Sequence, residues 1–267
     1  METKTERRVL LVKGDLIRGF REAGLAEGQT VIAHCAMRKL GFVVGGAETV
    51  VRALLEVLGE EGTLVMPSQT WKNLDPSEGV HWEEPVEWWP ALRKHWPAYD
   101  PRVTPSIGMG AVAEMLRTWP GACRSAHPAR SFAAVGKHAA EITAHHDLSR
   151  IFDDSSPLGK LYELDARVLL IGVGHDKNTS LHLAETRARF AGKRHKRESS
   201  AVMRGGVREW VSYETQAVDD GDFKALGAAF EREIRLQPCF VGGAEVRLLR
   251  QRQLVDWAVD WMERHRN

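Results

Sequence analysis

His182 and Glu185 form the pair in this sequence whose types and spacing could move a proton. Three residues apart on a helix they share a face, close enough for an imidazole to meet a carboxylate. A carboxylate that keeps one ring nitrogen protonated leaves the other as a proton acceptor, which is what a general base requires. Asp176, in the loop before that helix, could fold back onto the same ring. The spacing alone equally allows a solvated surface pair worth roughly 0.2–0.5 kcal/mol.

The elements that would position this pair can be read from its neighbours. Val168-Leu169-Leu170-Ile171 is an apolar run followed by Gly172 and Gly174 and then by polar residues from His175 to Ser180. This predicts a buried strand, a tight turn, a loop and a helix start capped by Asn178 or Thr179. Ligands of open α/β sheets bind outside the carboxyl ends of such strands. Two further strands can share that edge: Thr30 to His34, leaving through Cys35 to Gly41, and Thr63 to Met66, leaving through Pro67. Between them Gly45-Gly46 open a helix with Val50, Val51, Leu54, Leu55 and Leu58 on one face, and Gly59 closes it. Strand, helix, strand predicts a parallel pair with a right-handed crossover.

Leu16, Ile17, Phe20 and Leu25 after Asp15 predict a first helix with Asp15 as its cap. A helix over 109–118, strands at Phe132–Val135 and Val207–Tyr213, and a packing helix carrying Leu254, Val255, Trp257, Ala258, Trp261 and Met262 complete the pattern. The fold class is therefore α/β: a single domain over residues 1–267, built on a central mixed sheet flanked by helices, with a small irregular substrate-binding subdomain. That subdomain is expected from 71–99 and 190–225, read as substrate-side insertions. From Trp71 to Tyr99 periodicity is lost and Trp, Pro and acids accumulate, among them Asp75, Glu78, Glu83, Glu84 and Glu87. Glu214, Asp219, Asp220 and Asp222 form a second acidic group. An aromatic and acidic surface suits a polycationic sugar.

Other chemistries find less support. Cys35, Cys123 and Cys239 are odd in number and widely separated, which argues for free thiols and against a disulfide framework or a thiolate zinc site. His138, His145, His146 and Asp147 follow no zinc spacing, and no metal is expected. Gly108-x-Gly110-x-x-Ala113 lacks the apolar strand that a dinucleotide fingerprint requires. The basic run Lys193 to Arg197 stands alone and is read as a solvated loop, so no nucleic-acid partner is expected. A formal net charge of +1 leaves charged ligands to local clusters. Neither a membrane-length apolar stretch nor a signal-like region follows Met1, so the expectation is a soluble cytoplasmic protein, monomer or homodimer, with no membrane partner.

The run Gly172-Val173-Gly174 through Asn178-Thr179-Ser180-Leu181-His182-Leu183-Ala184-Glu185 resembles the signature of the aminoglycoside 3-N-acetyltransferase, or antibiotic N-acetyltransferase, family. Further stretches agree in order: Val31 to Gly41, Val65 to Trp71, Asp100 to Ser106 with Gly108-Met109-Gly110, Pro120 to Gly136, and Ser155 to Tyr162. The likeness spans roughly residues 10 to 260, and an ordered string of matches is specific where one would not be.

The resemblance implies an acetyl-coenzyme A-dependent transfer to the 3-amino group of an aminoglycoside. His182 is then the base, with Glu185 or Asp176 orienting it. It implies cofactor contacts from His34, Cys35, Ala36, Met37, Arg38, Lys39 and Gly41, where Cys35 and Ala36 stand in place of the family's small hydroxyl residues. It implies others from Arg102, Thr104 and Ser106 near the amino end of helix 109–118, a seat for phosphate, and from Ser125 and His127 beside the pantetheine arm. Thr70, Trp71, Asp75, Glu83, Glu84, Glu214, Asp219 and Asp220 are the candidate contacts to the aminosugar. Direct transfer needs no enzyme nucleophile; Cys35 as an acyl carrier is the lesser alternative. The same scaffold could serve another amine metabolite, or bind coenzyme A or another ligand without turnover.

Overall fold

Thr30–Cys35, Thr63–Pro67 and Arg167–Ile171 are short apolar runs with β-branched residues, and they form the middle of a seven-stranded sheet. The computed structural model describes residues 9–78 and 82–266; residues 79–81 of the irregular stretch, with 1–8 and 267, lie outside the described residues. In chain order the first elements are β1 (Leu10–Leu11), α1 (Lys13–Glu22), β2 (Thr30–Cys35), α2 (Met37–Leu40), β3 (Phe42–Val43), α3 (Gly46–Leu58) and β4 (Thr63–Pro67). Next come α4 (Trp89–His95), α5 (Ala111–Arg117), β5 (Cys123–Arg124), β6 (Phe132–Gly136), α6 (Ala139–Thr143), α7 (Pro157–Glu163), β7 (Arg167–Ile171) and α8 (Leu181–Arg187). The chain closes with β8 (His195–Arg204), β9 (Val207–Gln216), α9 (Phe223–Glu233), β10 (Cys239–Val241), β11 (Ala244–Arg250) and α10 (Gln251–His265).

The sheet order is β10-β11-β7-β2-β4-β6-β5. β2 runs parallel to both β4 and β7, whereas β11 and β6 join the two sides antiparallel, so the sheet is mixed. Alternation along the central strands sends their side chains to two separate cores. Val31, Ala33, Leu64, Met66, Leu169 and Ile171 pack with α1, α3 and α5, and Ile32, Val65, Val168 and Leu170 pack with helices α7 to α10. Both faces are thus covered, and each fully buried Val or Leu contributes about 1.5–3 kcal/mol. The carboxyl ends of β2, β4 and β7 consequently emerge side by side at one edge.

Several expectations change in detail. Asp15 does not begin α1; it lies one turn inside, and its carboxylate accepts the Val12 N–H at 3.1 Å, capping from within. The irregular stretch contains α4, which the sequence pattern hides because Pro90 and clustered Trp residues break the apolar period. The run Lys193 to Arg197 is not a simple loop, since from His195 onward it belongs to the β8–β9 hairpin.

The hairpin and the stretch 71–99 hold one another. Asp75 and Tyr99 donate backbone N–H groups to the carbonyls of Ser199 and Ala201 at 2.8 and 3.0 Å. Arg208 donates to the carbonyls of Trp96 and Arg93 at 2.7 and 2.6 Å. A fully buried pair, Arg130 with Glu198, ties the hairpin to the segment entering β6. Among the described residues no helix is long and apolar enough to cross a membrane.

Candidate active site

β7 ends in a sharp turn at Gly172, whose φ of +64° and approach to Lys39, 2.6 Å from any added Cβ, require glycine. The 3-10 turn His175–Lys177 follows and is pinned by its first residue. His175 is buried, and its Nε2 donates to Glu231 of α9 at 2.9 Å while its Nδ1 accepts from Asn178. Gly227 of α9 leaves the space for that ring: a Cβ there would lie 2.0 Å from it. Neither expected residue caps α8 as predicted. Ser180 occupies the cap position, and Asn178, two residues earlier, accepts the Ser180 N–H at 3.2 Å and steadies the approach.

This start delivers His182 to the edge above β2 and β7. Its Nδ1 lies 2.9 Å from Glu185 Oε2. Glu185 Oε1 accepts the Asp219 N–H and the Arg266 guanidinium, each at 2.8 Å. Three donors on two oxygens is the pattern of a carboxylate, so Nδ1 is the ring nitrogen that carries a proton; in the neutral ring the lone pair is then on Nε2. Among the described residues Nε2 has no protein partner. The imidazole stacks on Phe152 at 4.8 Å and 6° and leans on Phe223 at 4.9 Å, which fixes its plane.

His182 opens onto a cavity of about 680 Å³. Of the predicted residues, His34, Cys35, Ala36, Arg38, Trp71, Asp176 and Asp220 line it with His182. Gln69, Phe152, Phe223, Lys177 and the turn Gly108 to Gly110 also line it, and none of these was singled out as a contact from the sequence. Asp176 does not fold back onto the ring. It reaches Lys177 at 3.3 Å, stays half exposed, and leaves the orienting bond to Glu185.

The other predicted residues are engaged elsewhere. Asp75 is buried and holds Arg93 through two bonds of 2.6 and 2.9 Å. Burial opposes its charge, but Arg93 and Ser77 prevail and bring its pKa down to about 2. Glu84 pairs with Lys72 at 2.6 Å; Glu83 and Glu214 are exposed away from the wall. Asp219 serves through its backbone, its carboxylate accepting the Gly221 N–H. Thr70 donates to the Pro105 carbonyl at 2.6 Å. Arg102 pairs with Asp100, Ser106 with Glu114, and the Thr104 hydroxyl accepts the Asp100 N–H. Ser125 meets His146 at 2.9 Å, and His127 accepts two backbone N–H groups. Met37, Lys39 and Gly41 do not face the cavity.

Burial pushes the Cys35 thiol up to about 12, so at neutral pH it is no nucleophile. Among the described residues no three His, Cys, Asp or Glu side chains gather as metal ligands.

A carboxylate-held imidazole beside a cavity at the carboxyl edge of a mixed sheet is the arrangement of an α/β enzyme's ligand site. The comparisons narrow that class. The sequence profile of the aminoglycoside 3-N-acetyltransferase family matches residues 32–263, and the chain belongs to that family. Aminoglycoside N(3)-acetyltransferase VII of Streptomyces paromomycinus is 38% identical over 262 residues, covering 93% of this chain and 90% of its own. The crystal structure of the YokD protein of Bacillus subtilis superposes with a TM-score of 0.91 at 37% identity, over 95% of this chain and 93% of that one. The binary complex of AAC-IIIb with CoASH gives 0.86 at 28% identity, over 97% and 98%.

Proposed function

We propose that this protein transfers the acetyl group of acetyl-coenzyme A directly to the 3-amino group of an aminoglycoside, with His182 as general base. One observation carries the reading: Nδ1 of His182 is committed to an anchored carboxylate, the ring borders the cavity, and Nε2 has no partner among the described residues. Family membership and the CoASH complex of a relative support the choice of donor.

Acetyl-coenzyme A supplies an activated acyl carbon and a thiolate leaving group. An aminosugar amine is mostly protonated at neutral pH, and only its free base attacks a thioester. His182 Nε2 removes the amine proton as the C–N bond forms, and Glu185 stabilises the imidazolium that results. The C–S bond then breaks, and the same proton passes from Nε2 to the departing thiolate. The products are an amide and free coenzyme A, with His182 returned to its starting state.

Arg38 and Lys177 bring positive charge to the cavity wall, fitting a phosphate-bearing donor. Gly108 and Gly110, both at positive φ, let backbone approach a ligand closely beside the β2 exit. Asp176 and Asp220 are the wall acids that can pair with acceptor ammonium groups, and Trp71 offers a face for a sugar ring. Trp71, Asp176 and Asp220 mark the acceptor side of the cavity. The cytoplasm, where acetyl-coenzyme A is available, is the proposed location.

The test is free-thiol release from acetyl-coenzyme A with gentamicin, apramycin and an unrelated diamine, for wild type and His182→Ala. The expected result is release with the aminoglycosides and a kcat lowered by about 10²- to 10⁴-fold in the variant, with donor binding retained. Absence of release with any amine would overturn the activity; loss of donor binding in the variant would make His182 structural.

A further inference from the structure

Glu185 is 2% exposed and would be a costly charge to bury if a neutral imidazole were its only partner. Two protonation changes could relieve that cost. The carboxyl could take up a proton, or His182 could stay an imidazolium; either change removes the base. The structure supplies a third solution in Arg266.

Arg266 follows α10 and reaches back across the start of α9. Its Nη1 donates to Glu185 Oε1 at 2.8 Å, its Nε and Nη2 grip Asp222 at 2.8 and 2.5 Å, and Nη2 also donates to the Asp219 carbonyl at 2.8 Å. The guanidinium lies 5.4 and 5.7 Å from the ring centroids of Phe190 and Phe223, the second of which also flanks His182. Its side chain is 11% exposed. Burial disfavours its charge, yet the bonds from Asp222 and Glu185 outweigh that and hold its pKa above the ordinary arginine value. Lys193 also faces this corner, but its ammonium donates to the Thr186 carbonyl at 2.6 Å.

We infer that Arg266 is a positioning residue of the transfer site: it keeps Glu185 a carboxylate aimed at His182 and fastens both to the loop that carries Asp220 to the cavity. The fork geometry matters, because one planar group must serve two carboxylates and a carbonyl at once. With this counter-charge in place, Glu185 has a cationic partner other than the ring it orients. The inference depends on the reading of His182 as the base.

The experiment measures kcat and KM against pH for wild type, Arg266→Ala, Arg266→Lys and His182→Ala, with thermal melting to verify folding. Arg266→Ala should lower kcat by about 10- to 100-fold, the range that loss of an outer partner of a reacting group costs. Its acid limb should move up by about 1 pH unit, because the imidazolium loses a repelling charge and no longer shares the carboxylate with a guanidinium. Arg266→Lys should restore most of the limb position through its charge. A folded Arg266→Ala whose limb stays in place overturns the inference, since a merely structural residue would change amount or stability and leave the limb alone. Should Arg266→Ala not fold, Arg266→Gln, closer in volume, is read in the same way. Full activity in His182→Ala would instead sink the reading of the base. A dead His182→Ala beside an unmoved Arg266 limb sinks only the inference.

Discussion

His34 at the end of β2 and His182 at the start of α8 border the same cavity, and they differ in whether a counter-charge holds the ring. His34 is buried at the carboxyl end of a central strand, and its Nε2 has no hydrogen-bond partner among the described residues. Burial first, and the nearby His175 second, lower its pKa to about 3. His182 sits between two aromatic rings with one nitrogen on a carboxylate that is itself held by an amide and a guanidinium. Two histidines on one cavity thus differ in whether a fixed carboxylate holds the ring.

The comparison breaks most readily at Glu185. Glu185→Gln should cost about 10²- to 10⁴-fold in kcat, because an amide no longer dictates the ring tautomer. Steady-state kinetics with a melting control checks this, and a variant that keeps its rate would show that the carboxylate is dispensable.

Acid titration sharpens the other half. His34, His127 and His146 are buried and neutral, with pKa values of about 3 for His34 and about 4 for His146, and well below the ordinary 6.5 for His127, burial being the chief cause in each. The unfolded chain takes up protons first, so stability falls as pH drops from about 6.5 toward 4, by up to roughly 1.4 kcal/mol per pH unit for each group. Above 6.5 both states are neutral at these positions and the slope vanishes. Urea denaturation at stepped pH measures it; a flat profile between 6.5 and 4.5 would contradict the burial of these rings.

Two smaller effects separate scaffold from site. Asp75→Ala removes the Arg93 pair and should cost about 1–2 kcal/mol of stability, discounted because Arg93 is partly exposed, with kcat/KM for the aminoglycoside unchanged. A raised KM without loss of stability would return Asp75 to the acceptor surface. His34→Gln should leave kcat within roughly threefold and the acid limb where it was, since a group that stays neutral over the working range titrates in no step. A collapsed rate would erase the distinction between the two histidines.

The central strands were legible in the sequence because alternation and apolar runs are local, and the Gly-bounded helix α3 was legible for the same reason. The pair His182 and Glu185 was legible because i, i+3 spacing survives into any helix. Arg266 was not. Its bond to Glu185 spans 81 residues, it follows the last amphipathic turn, and it falls outside the matched span 32–263. The acids misled for a related reason: composition shows that Asp75 and Glu84 are negative, but not that Arg93 and Lys72 already neutralise them. Only pairing through space distinguishes Asp220, on the cavity wall, from its sequence neighbour Asp219, which acts through its peptide.

That peptide bond sets the terms on which the site can change. The loop before α9 meets Glu185 through the Asp219 N–H, a group every residue but proline possesses. Side chains along 218–221, Asp220 included, can therefore be exchanged without withdrawing this donor, so long as the backbone keeps its path. The cavity wall at Asp220 can thus vary while the bond to Glu185 stays in place. The single residue type barred outright at position 219 is proline.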